Sequence, residues 1–451
     1  MENSRKKSAG MSRRNFLAAT CTGLLTARLP KAAALQESAS TKAARIEAFR
    51  MLGRTGFKAS DIGCGTPINE GLVRRLIESG VNVFDTSEIY YRGQSERTLG
   101  RVLKEFDRKS FFVMTKVFPP YESEQDVYSR ATKSLERLDM SYVDGLILQN
   151  AESVEIVTNK AFHAALARLK NEGKVRYGGL ACHGTAWSGK PKNTLEEILM
   201  TGVGDGRFDV VLLAYNFLHQ EMSRKVLGAC RERNIGTVII KSNPVSKYSQ
   251  LAQMAEQIEK GSVPEGGGTL EEYKEYLPWI KDTLIPLMKE QSGRVRDYTR
   301  DKGIVSEDAF MRDVAIRFIL SNPDVGTVLY TFENFGDIES VLGASGKTLE
   351  AAGRPLIDEY QRGLGRLYCR PGCAACEDSC PHGLPINTIM RYNHYRMAQG
   401  REDYAAEMYA DLPGLNAGVC QSCEGYCGPA CPHQVPVPLL LRLAHRNLAL
   451  G

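Results

Sequence analysis

The sequence lacks three features that would each point to a class of function. Its net charge is only +5 over 451 residues, with basic residues crowded into "SRKK" and "SRR" near the N-terminus, so nothing suggests a nucleic-acid partner. Its N-terminal apolar stretch is too short to span a bilayer. No G-x-G-x-x-G turn follows an early strand candidate, which disfavours a doubly wound dinucleotide-binding sheet. What remains is a globular protein of ordinary composition, 43% apolar and 25% charged.

The N-terminal segment has the pattern of an export signal. Residues 1–34 combine a charged start, a short apolar stretch and small residues at an A-x-A site. Arg13 and Arg14 stand in "SRRNFL", which resembles the twin-arginine signal of proteins that are exported already folded. We therefore expect the twin-arginine export machinery as a partner, a periplasmic or extracytoplasmic location, and a polar linker over 35–47. A plain secretion signal and a lipoprotein anchored at Cys21 are the alternatives.

Eight short β-branched runs alternate with helical patterns over residues 48–350. The helical stretches, such as "EQDVYSRATKSLERL", place apolar residues three and four apart. Eight strand-then-helix units predict an α/β fold, a closed (β/α)8 TIM barrel. The interval 243–325 exceeds the length of one helix and predicts an inserted lid or extra helices over the barrel. The strand candidates are 61–65, 81–85, 111–116, 143–148, 175–180, 210–215, 237–242 and 326–331.

A different pattern begins at about residue 366, within a predicted C-terminal module at 351–451. Two runs of four cysteines each end in Cys-Pro-His and lead through prolines into a helical pattern, so the module contains an internal repeat. Closely spaced cysteines that end in Cys-Pro are typical of ferredoxin 4Fe–4S clusters. We therefore predict a small helical, ferredoxin-like module with two 4Fe–4S clusters. The candidate ligands are Cys369, Cys373, Cys376 and Cys380 in the first run and Cys420, Cys423, Cys427 and Cys431 in the second.

The distribution of these ligands follows from the analogy with two-cluster ferredoxins. In those proteins the cysteine before proline binds the cluster of the other run. By that analogy Cys380 joins the second run and Cys431 joins the first. Each run departs by one residue from the strict ferredoxin spacing. A tetrahedral zinc site and the disulfides of an exported protein are alternatives, and so is a structural rather than redox role for the clusters.

Polar side chains follow several barrel strands at their carboxyl ends, where such barrels carry their chemistry. A lysine and an aspartate on neighbouring strand ends would form a partly buried ion pair. Beside a tyrosine, that lysine would lower the pKa of the phenol below its usual value of about 10. Such a phenol can give a proton to a carbonyl oxygen or take one back. The strand-end candidates are Asp85, Lys116, Gln149, His183, Tyr215, Asn216 and Lys241.

Around these residues the sequence resembles the aldo/keto reductase family, from about residue 50 to 345. "FDTSEIYYRGQSERTLGRVL" is similar to the family's D-T-A-x-x-Y-x-x-G-x-S-E-x-x-L-G segment, and "VMTKV" is similar to its lysine strand. The resemblance implies that Tyr90 is the acid–base group, Lys116 its polariser and Asp85 the anchor. "YVDGLILQ" resembles the strand that normally ends in histidine, so Gln149 takes the place of that residue. Members with a C-terminal iron–sulfur domain form a known branch.

The resemblance also implies bound NADP(H), with contacts from His183, Tyr215, Asn216, Lys241 and Asn334. The chain departs from the family at four further positions: Ala181 and Cys182 replace a serine and an asparagine, Leu212 replaces a glutamine, and Glu333 stands where a basic residue is common. We predict an exported iron–sulfur oxidoreductase that interconverts a small carbonyl compound and an alcohol, served by a redox partner protein. A non-catalytic or electron-relay protein on a reductase scaffold is the alternative.

Overall fold

The chain from Ala43 to Gly451 forms one compact unit in the computed structural model. The predicted signal peptide lies outside the described residues, and so does part of the predicted insertion at 243–325. No helix in the described part of the chain is long and apolar enough to cross a bilayer. The structure describes residues 43–184, 192–244, 256–257, 260–262, 277–300, 307–399, 402–412, 414 and 416–449.

Eight parallel strands close into a barrel, in agreement with the predicted (β/α)8 fold. They pair in the order β10-β3-β4-β5-β6-β7-β8-β9, and each strand lies within two residues of a predicted run. A short antiparallel hairpin of β1 and β2 precedes the barrel. The strands are β1 (Phe49–Met51), β2 (Lys58–Ser60), β3 (Ile62–Gly65), β4 (Val83–Asp85), β5 (Phe112–Val117), β6 (Val143–Leu148), β7 (Val175–Ala181), β8 (Val210–Ala214), β9 (Gly236–Ile240) and β10 (Thr327–Tyr330).

The hairpin closes the amino end of the barrel. The ring of Phe57 lies 5.4 Å from that of Phe112 at the start of β5, and Phe112 stacks on Tyr177 at 5.9 Å. The Tyr177 hydroxyl donates to the carbonyl oxygen of Thr55 in the hairpin, at 2.7 Å. Aromatic packing fills this end, so the side chains available for chemistry lie at the opposite end, where the strands finish.

Helices cover the outside of the barrel, and several of them begin at side-chain caps. Ser123, for example, accepts a hydrogen bond from the backbone N–H of Asp126 and starts α3, which buries Val127, Ala131 and Leu138 along one face. The helices of this part are α1 (Glu70–Glu78), α2 (Gln94–Leu103), α3 (Glu124–Leu138), α4 (Val154–Val157), α5 (Lys160–Asn171), α6 (Leu195–Asp205), α7 (Glu221–Glu232), α8 (Leu277–Trp279), a π-helical turn (Ile280–Leu284), α9 (Ile285–Thr299), α10 (Glu307–Leu320) and α11 (Phe335–Leu342).

The C-terminal region is helical and repeats one unit, a cysteine loop followed by a helix. Arg391 donates to the carbonyl oxygen of Cys369 at 3.1 Å, and Arg442 donates to that of Cys420 at 2.9 Å. Each arginine thus ties its helix to the first cysteine of its own loop. The helices here are α12 (Arg354–Arg362), α13 (Ile386–Gln399), α14 (Glu402–Ala410) and α15 (Val437–Ala449). We refer to residues 363–449 as the tail.

Candidate active site and cysteine-rich tail

Strand alternation directs Asp85 and Lys116 into the open end of the barrel. Val83 and Phe112 lie in the inner core, and residues two or four positions further along the same strands point to the same side. The ammonium of Lys116 donates to Asp85 Oδ2 at 2.5 Å and to the carbonyl oxygen of Thr86 at 2.6 Å. Lys116 is only 1% exposed. A lysine is rarely buried so fully without a partner, so this ion pair is a fixed part of the site.

Tyr90 lies beside this ion pair. The Lys116 ammonium is 4.7 Å from the centroid of the Tyr90 ring, within the range of a cation–π contact. Burial raises the pKa of Asp85 and lowers that of Lys116, while the attraction between the two opposes both shifts. Asp85 Oδ1 is buried and has no hydrogen-bond partner in the described structure. The three predicted residues therefore meet at one place.

Gln149 joins the same group from the end of β6. Its backbone N–H donates to the carbonyl oxygen of Val117, which sets it beside β5. Its amide oxygen accepts a hydrogen bond from the Ser87 hydroxyl at 2.6 Å, and the residue is 3% exposed. Because the oxygen is engaged, the amide NH2 is the group that Gln149 can offer to a ligand. It can donate a hydrogen bond there, but it carries no charge.

Glu96 supports the site from α2, and the sequence analysis missed it. Its carboxylate is fully buried, accepts from the Thr115 hydroxyl at 2.5 Å and pairs with Arg137 at 2.5 Å. Its charge also favours the protonated form of Lys116. The sequence did contain a signal for this residue. Glu96 belongs to the S-E pair of "GQSERTLG", and a glutamate on the buried face of a helix needs a positively charged partner.

The tail helix α13 lies at the mouth of the barrel, which the sequence did not predict. Lys241 follows β9 in a left-handed backbone conformation, with φ of 53°, and its ammonium donates to the hydroxyl of Tyr395. The same ammonium is 4.6 Å from the Tyr395 ring centroid. The two residues are 154 positions apart, so no local pattern could have signalled the contact. The tail therefore forms part of the wall of the candidate site.

His183 lies deep in this wall, on the inward-facing side of the chain after β7. Burial lowers its pKa well below the ordinary value, and the charges of Lys241, Lys116 and Arg391 add to the effect. His394 of α13 has a lowered pKa for the same reasons, from burial and then from Arg391 and Lys241. Both imidazoles are therefore neutral near pH 7. Both residues are partly buried, and the charges of Lys241 and Arg391 act on both.

Backbone contact between two glycines brings tail and barrel together. A Cβ atom on Gly184, which follows β7, would lie 2.4 Å from the Cα of Gly372 in the first cysteine loop. Both glycines have left-handed φ angles, 72° and 69°. Only glycine permits this combination of conformation and close approach without strain. The first cysteine loop therefore docks at the carboxyl end of β7.

Three of the predicted cofactor contacts form ring contacts or hydrogen bonds within the protein. Tyr215 lies three positions after the inward-facing Leu212, so its side chain points to the outside of the barrel. Its ring packs 5.6 Å from the Phe318 ring, and the residue is 1% exposed. Alternation along β8 could have shown this. Asn216 donates to the carbonyl oxygen of Lys241 at 2.8 Å. Asn334 caps α11 by accepting from the N–H of Asp337.

The barrel mouth contains only some of the side chains that the family resemblance implies as nicotinamide contacts. His183 and Lys241 lie there, but Cys182 packs in the outer core, where its thiol donates to the carbonyl oxygen of Ala151 at 3.0 Å. Ala181 and Leu212 are buried in the inner core. The strands thus offer apolar side chains where the resemblance predicts amide and hydroxyl groups.

Comparison with known proteins agrees with the barrel fold. Residues 69–361 match the family model described as the aldo/keto reductase family. The chain belongs to the aldo/keto reductase family. It is 33% identical over 184 residues to an L-galactose dehydrogenase of Arabidopsis thaliana, covering 36% of this chain and 55% of that protein. It is 31% identical over 153 residues to a putative voltage-gated potassium channel subunit beta of Schizosaccharomyces pombe, covering 29% and 44%. The match thus spans about half of each curated relative.

Solved aldo/keto reductase structures are also similar to this family member. The holo form of an aldo-keto reductase from Bacillus halodurans superposes with a TM-score of 0.47 at 20% identity, covering 69% of this chain and 95% of that one. An aldo-keto reductase from Klebsiella pneumoniae in complex with NADPH gives a TM-score of 0.47 at 15% identity, covering 69% and 94%.

The tail that this reductase carries gathers its cysteines into two groups. All eight are free thiols in the structure. Cys380 lines one cavity together with Cys420, Cys423 and Cys427. Cys431 interacts instead with thiols of the first run, and its charge raises the pKa of Cys369 and Cys373. The last cysteine of each run thus lies with the other run. We call Cys369, Cys373, Cys376 and Cys431 thiol group 1, and Cys380, Cys420, Cys423 and Cys427 thiol group 2.

Both thiol groups lie in surroundings that disfavour bare thiolates. Burial, with a smaller contribution from neighbouring thiols, raises the pKa of Cys369 to about 12 and that of Cys427 to about 11. Asn387 donates to the Cys369 sulfur at 3.1 Å. Four thiolates could coexist in such a place only with a compensating positive charge. Among the residues described, no three His, Cys, Asp or Glu side chains converge as a site for a metal ion.

Proposed function

We propose that the protein is an oxidoreductase that interconverts a small carbonyl compound and its alcohol, with Tyr90 as the acid–base group. The observation that carries the proposal is the buried Lys116–Asp85 pair with its ammonium 4.7 Å from the Tyr90 ring centroid. In the reducing direction the Tyr90 hydroxyl gives its proton to the substrate oxygen, and the nearby ammonium stabilises the phenolate that remains. In the oxidising direction the phenolate takes the proton back.

Gln149 would hold the substrate oxygen beside Tyr90. Ser87 fixes the amide by donating to its oxygen, so the NH2 group can donate to a carbonyl oxygen and strengthen its polarisation. A neutral donor adds a hydrogen bond but no charge. The charge that stabilises the developing oxyanion therefore comes from Lys116, with Asp85 holding the ammonium in position.

NADP(H) is the proposed hydride carrier, and when bound it would supply a hydride to the carbonyl carbon. Of the residues that the family resemblance implies, His183 and Lys241 lie at the mouth and would contact it. Both would do so from a wall that the tail shares, because Lys241 is bonded to Tyr395. The tail therefore limits the space in which a carrier and a substrate meet.

Two 4Fe–4S clusters are the proposed occupants of the thiol groups. Supporting this, each group combines three thiols of one run with the last thiol of the other, as in two-cluster ferredoxins, and iron would supply the positive charge that the buried thiolates need. A cluster does not require thiols to converge on one ion, because each binds a different iron atom. We further propose that the protein is exported by the twin-arginine route with its clusters already in place.

A second candidate function is an electron relay between a redox partner protein and the barrel mouth. The observation that favours it is Arg391, which donates to the Cys369 carbonyl oxygen and contributes to the positive environment of His183. This arginine lies between thiol group 1 and the candidate active site. In this function, reducing equivalents would reach the substrate without a nicotinamide.

Tyr90→Phe tests the first function, with Tyr91→Phe as the matched control. Tyr91 is the next residue and is 48% exposed, so its hydroxyl should not matter. We expect Tyr90→Phe to reduce NADPH-dependent carbonyl turnover by about 100-fold or more, while the control and the iron and sulfide contents of anaerobically purified protein stay unchanged. Undiminished turnover in Tyr90→Phe would remove Tyr90 from the mechanism. Turnover with a one-electron donor but not with NADPH would favour the relay.

A further inference from the structure

A second cavity lies where three segments of the chain meet. It measures about 400 Å³ and is formed by α12, by the residues that lead into the first cysteine loop, and by the turn after Cys431. We call it the junction cavity. Its lining residues are Asp358, Gln361, Arg362, Arg366, Arg370, Pro432, His433 and Gln434.

The junction cavity is strongly basic. Three arginines face one carboxylate, that of Asp358, and guanidinium groups stay charged at any physiological pH. His433 adds an imidazole that can form a hydrogen bond with a ligand. Arginine forks match the paired oxygens of carboxylates and phosphates. The charge and the donor geometry both favour an anion.

Arg370 is fixed in place before any ligand arrives. Its Nε donates to the carbonyl oxygen of Leu218 at 3.3 Å, and its Nη1 donates to those of Gly365 at 2.7 Å and Tyr368 at 2.5 Å. Its other terminal nitrogen, Nη2, makes no hydrogen bond among the residues that the structure describes and is available to the cavity. The residue is partly buried, so a nearby anion would offset the cost of burying its charge.

The other two arginines can adapt to a ligand. Arg362 at the end of α12 and Arg366 in the following turn are both exposed. The segment that carries them is anchored to the barrel, because Gln361 donates to the carbonyl oxygen of Phe217. The cavity thus combines a guanidinium that is held in place, that of Arg370, with two exposed ones. This arrangement suits a small ligand that carries more than one charged group.

We propose that the junction cavity binds a small molecule with two or more negative charges, carried by phosphoryl or carboxylate groups. The ligand would bridge α12 to the turn that follows Cys431, and so clamp the second cysteine loop to the segment that joins barrel and tail. The site is independent of carbonyl reduction, since none of its residues belongs to the group around Tyr90.

Calorimetric titration of the intact protein tests the proposal, with pyrophosphate, inorganic phosphate and citrate as probes and sodium chloride at matched ionic strength as the blank. We expect saturable binding of pyrophosphate or citrate and an increase in melting temperature. The stronger of the two identifies the preferred group as phosphoryl or carboxylate. Turnover is not measured, so the result does not depend on the proposed reaction.

Substitution locates the site. Arg362→Gln and Arg366→Gln should each weaken binding about tenfold, while Arg233→Gln, an exposed arginine at the end of α7, should leave it unchanged. Both arginines are exposed, so the substitutions should not disturb folding, and circular dichroism of each variant checks this. The proposal is overturned if no probe binds saturably, if both substitutions leave binding intact, or if only a polyglutamate peptide binds, which would indicate a docking surface for an acidic protein.

Discussion

The two halves of the tail repeat one design but face different surroundings. In both, an arginine of the following helix bonds the carbonyl oxygen of the first cysteine, Arg391 to Cys369 and Arg442 to Cys420. The first half packs on the barrel, through Gly372 against Gly184 and through Tyr395 against Lys241. The hydrogen bonds described for the second half join residues of the tail to one another, as His445 with Tyr409 and Arg442 with Cys423.

Matching positions of the repeat show how the halves diverged. Asn387 donates to the Cys369 sulfur in the first half, whereas its counterpart Pro438 lines the cavity of thiol group 2. His394 lies near Lys241, whereas its counterpart His445 bonds the hydroxyl of Tyr409 within the tail. The shared arginines hold the cysteine loops in both halves. Tyr395, which contacts Lys241 of the barrel, has Arg446 as its counterpart in the second half. The attachment to the barrel therefore uses a residue that the repeat does not share.

The largest effect should come from blocking the glycine contact. Gly184→Ala places a Cβ 2.4 Å from a backbone atom of Gly372, so the first cysteine loop must move. We expect a loss of about 3 kcal/mol in the free energy of unfolding, measured by urea denaturation. Gly173→Ala is the control, because Gly173 has a similar φ of 70° and open space around it; it should cost only about 1 kcal/mol. Equal losses would show that the close approach does not hold the tail.

Arg391→Met and Arg442→Met compare the two halves directly. Each removes bonds from a guanidinium to backbone carbonyl oxygens, so each should destabilise its loop by about 2 kcal/mol and lower the iron content of purified protein. Only Arg391→Met should also slow carbonyl turnover, because only Arg391 lies beside His183. Equal turnover in the two variants would mean that the first half does not contribute to the site.

Acid should weaken the first half more than the second. The pKa of His394 is well below its ordinary value because of burial and the charges of Arg391 and Lys241, so the unfolded chain takes up a proton that the folded chain does not. The contribution of neutral His394 to the free energy of unfolding is therefore fully present above about pH 6.5. Below that pH the free energy of unfolding decreases, by up to about 1.4 kcal/mol per pH unit. His394→Asn should flatten this fall in a pH series of denaturation curves. His445→Asn should flatten it less, because burial alone lowers the pKa of His445.

The smallest effect should come from Tyr395→Phe, which removes the hydroxyl that Lys241 bonds. The ring and its cation–π contact remain, so the cost should be about 1 kcal/mol. Tyr426→Phe in the second half removes an exposed hydroxyl that donates to Glu424, and its effect should be within about 0.5 kcal/mol. A larger loss from Tyr426→Phe than from Tyr395→Phe would contradict the assignment of the first half as the docked one.

The sequence predicted the barrel well because its signals are local. The composition of runs such as 143–148 and 210–215 predicts strands. Because neighbouring parallel strands end at the same side of a barrel, the same pattern also predicts that Asp85 and Lys116 lie close together. The prediction that Tyr215 reaches the mouth ignored alternation and placed its ring on the wrong side of β8. The contact between Lys241 and Tyr395 was beyond prediction, because it depends on how two regions pack rather than on either pattern.

The glycine contact also links the tail to two strand ends of the candidate site. Gly372 meets Gly184 at the end of β7, and Tyr395 contacts Lys241 at the end of β9. The loop after β4, which carries Tyr90, takes part in neither contact, and its Ile89 and Tyr91 are 45% and 48% exposed. A change that displaces the first cysteine loop would therefore act on the ends of β7 and β9 before it acts on the loop that carries Tyr90.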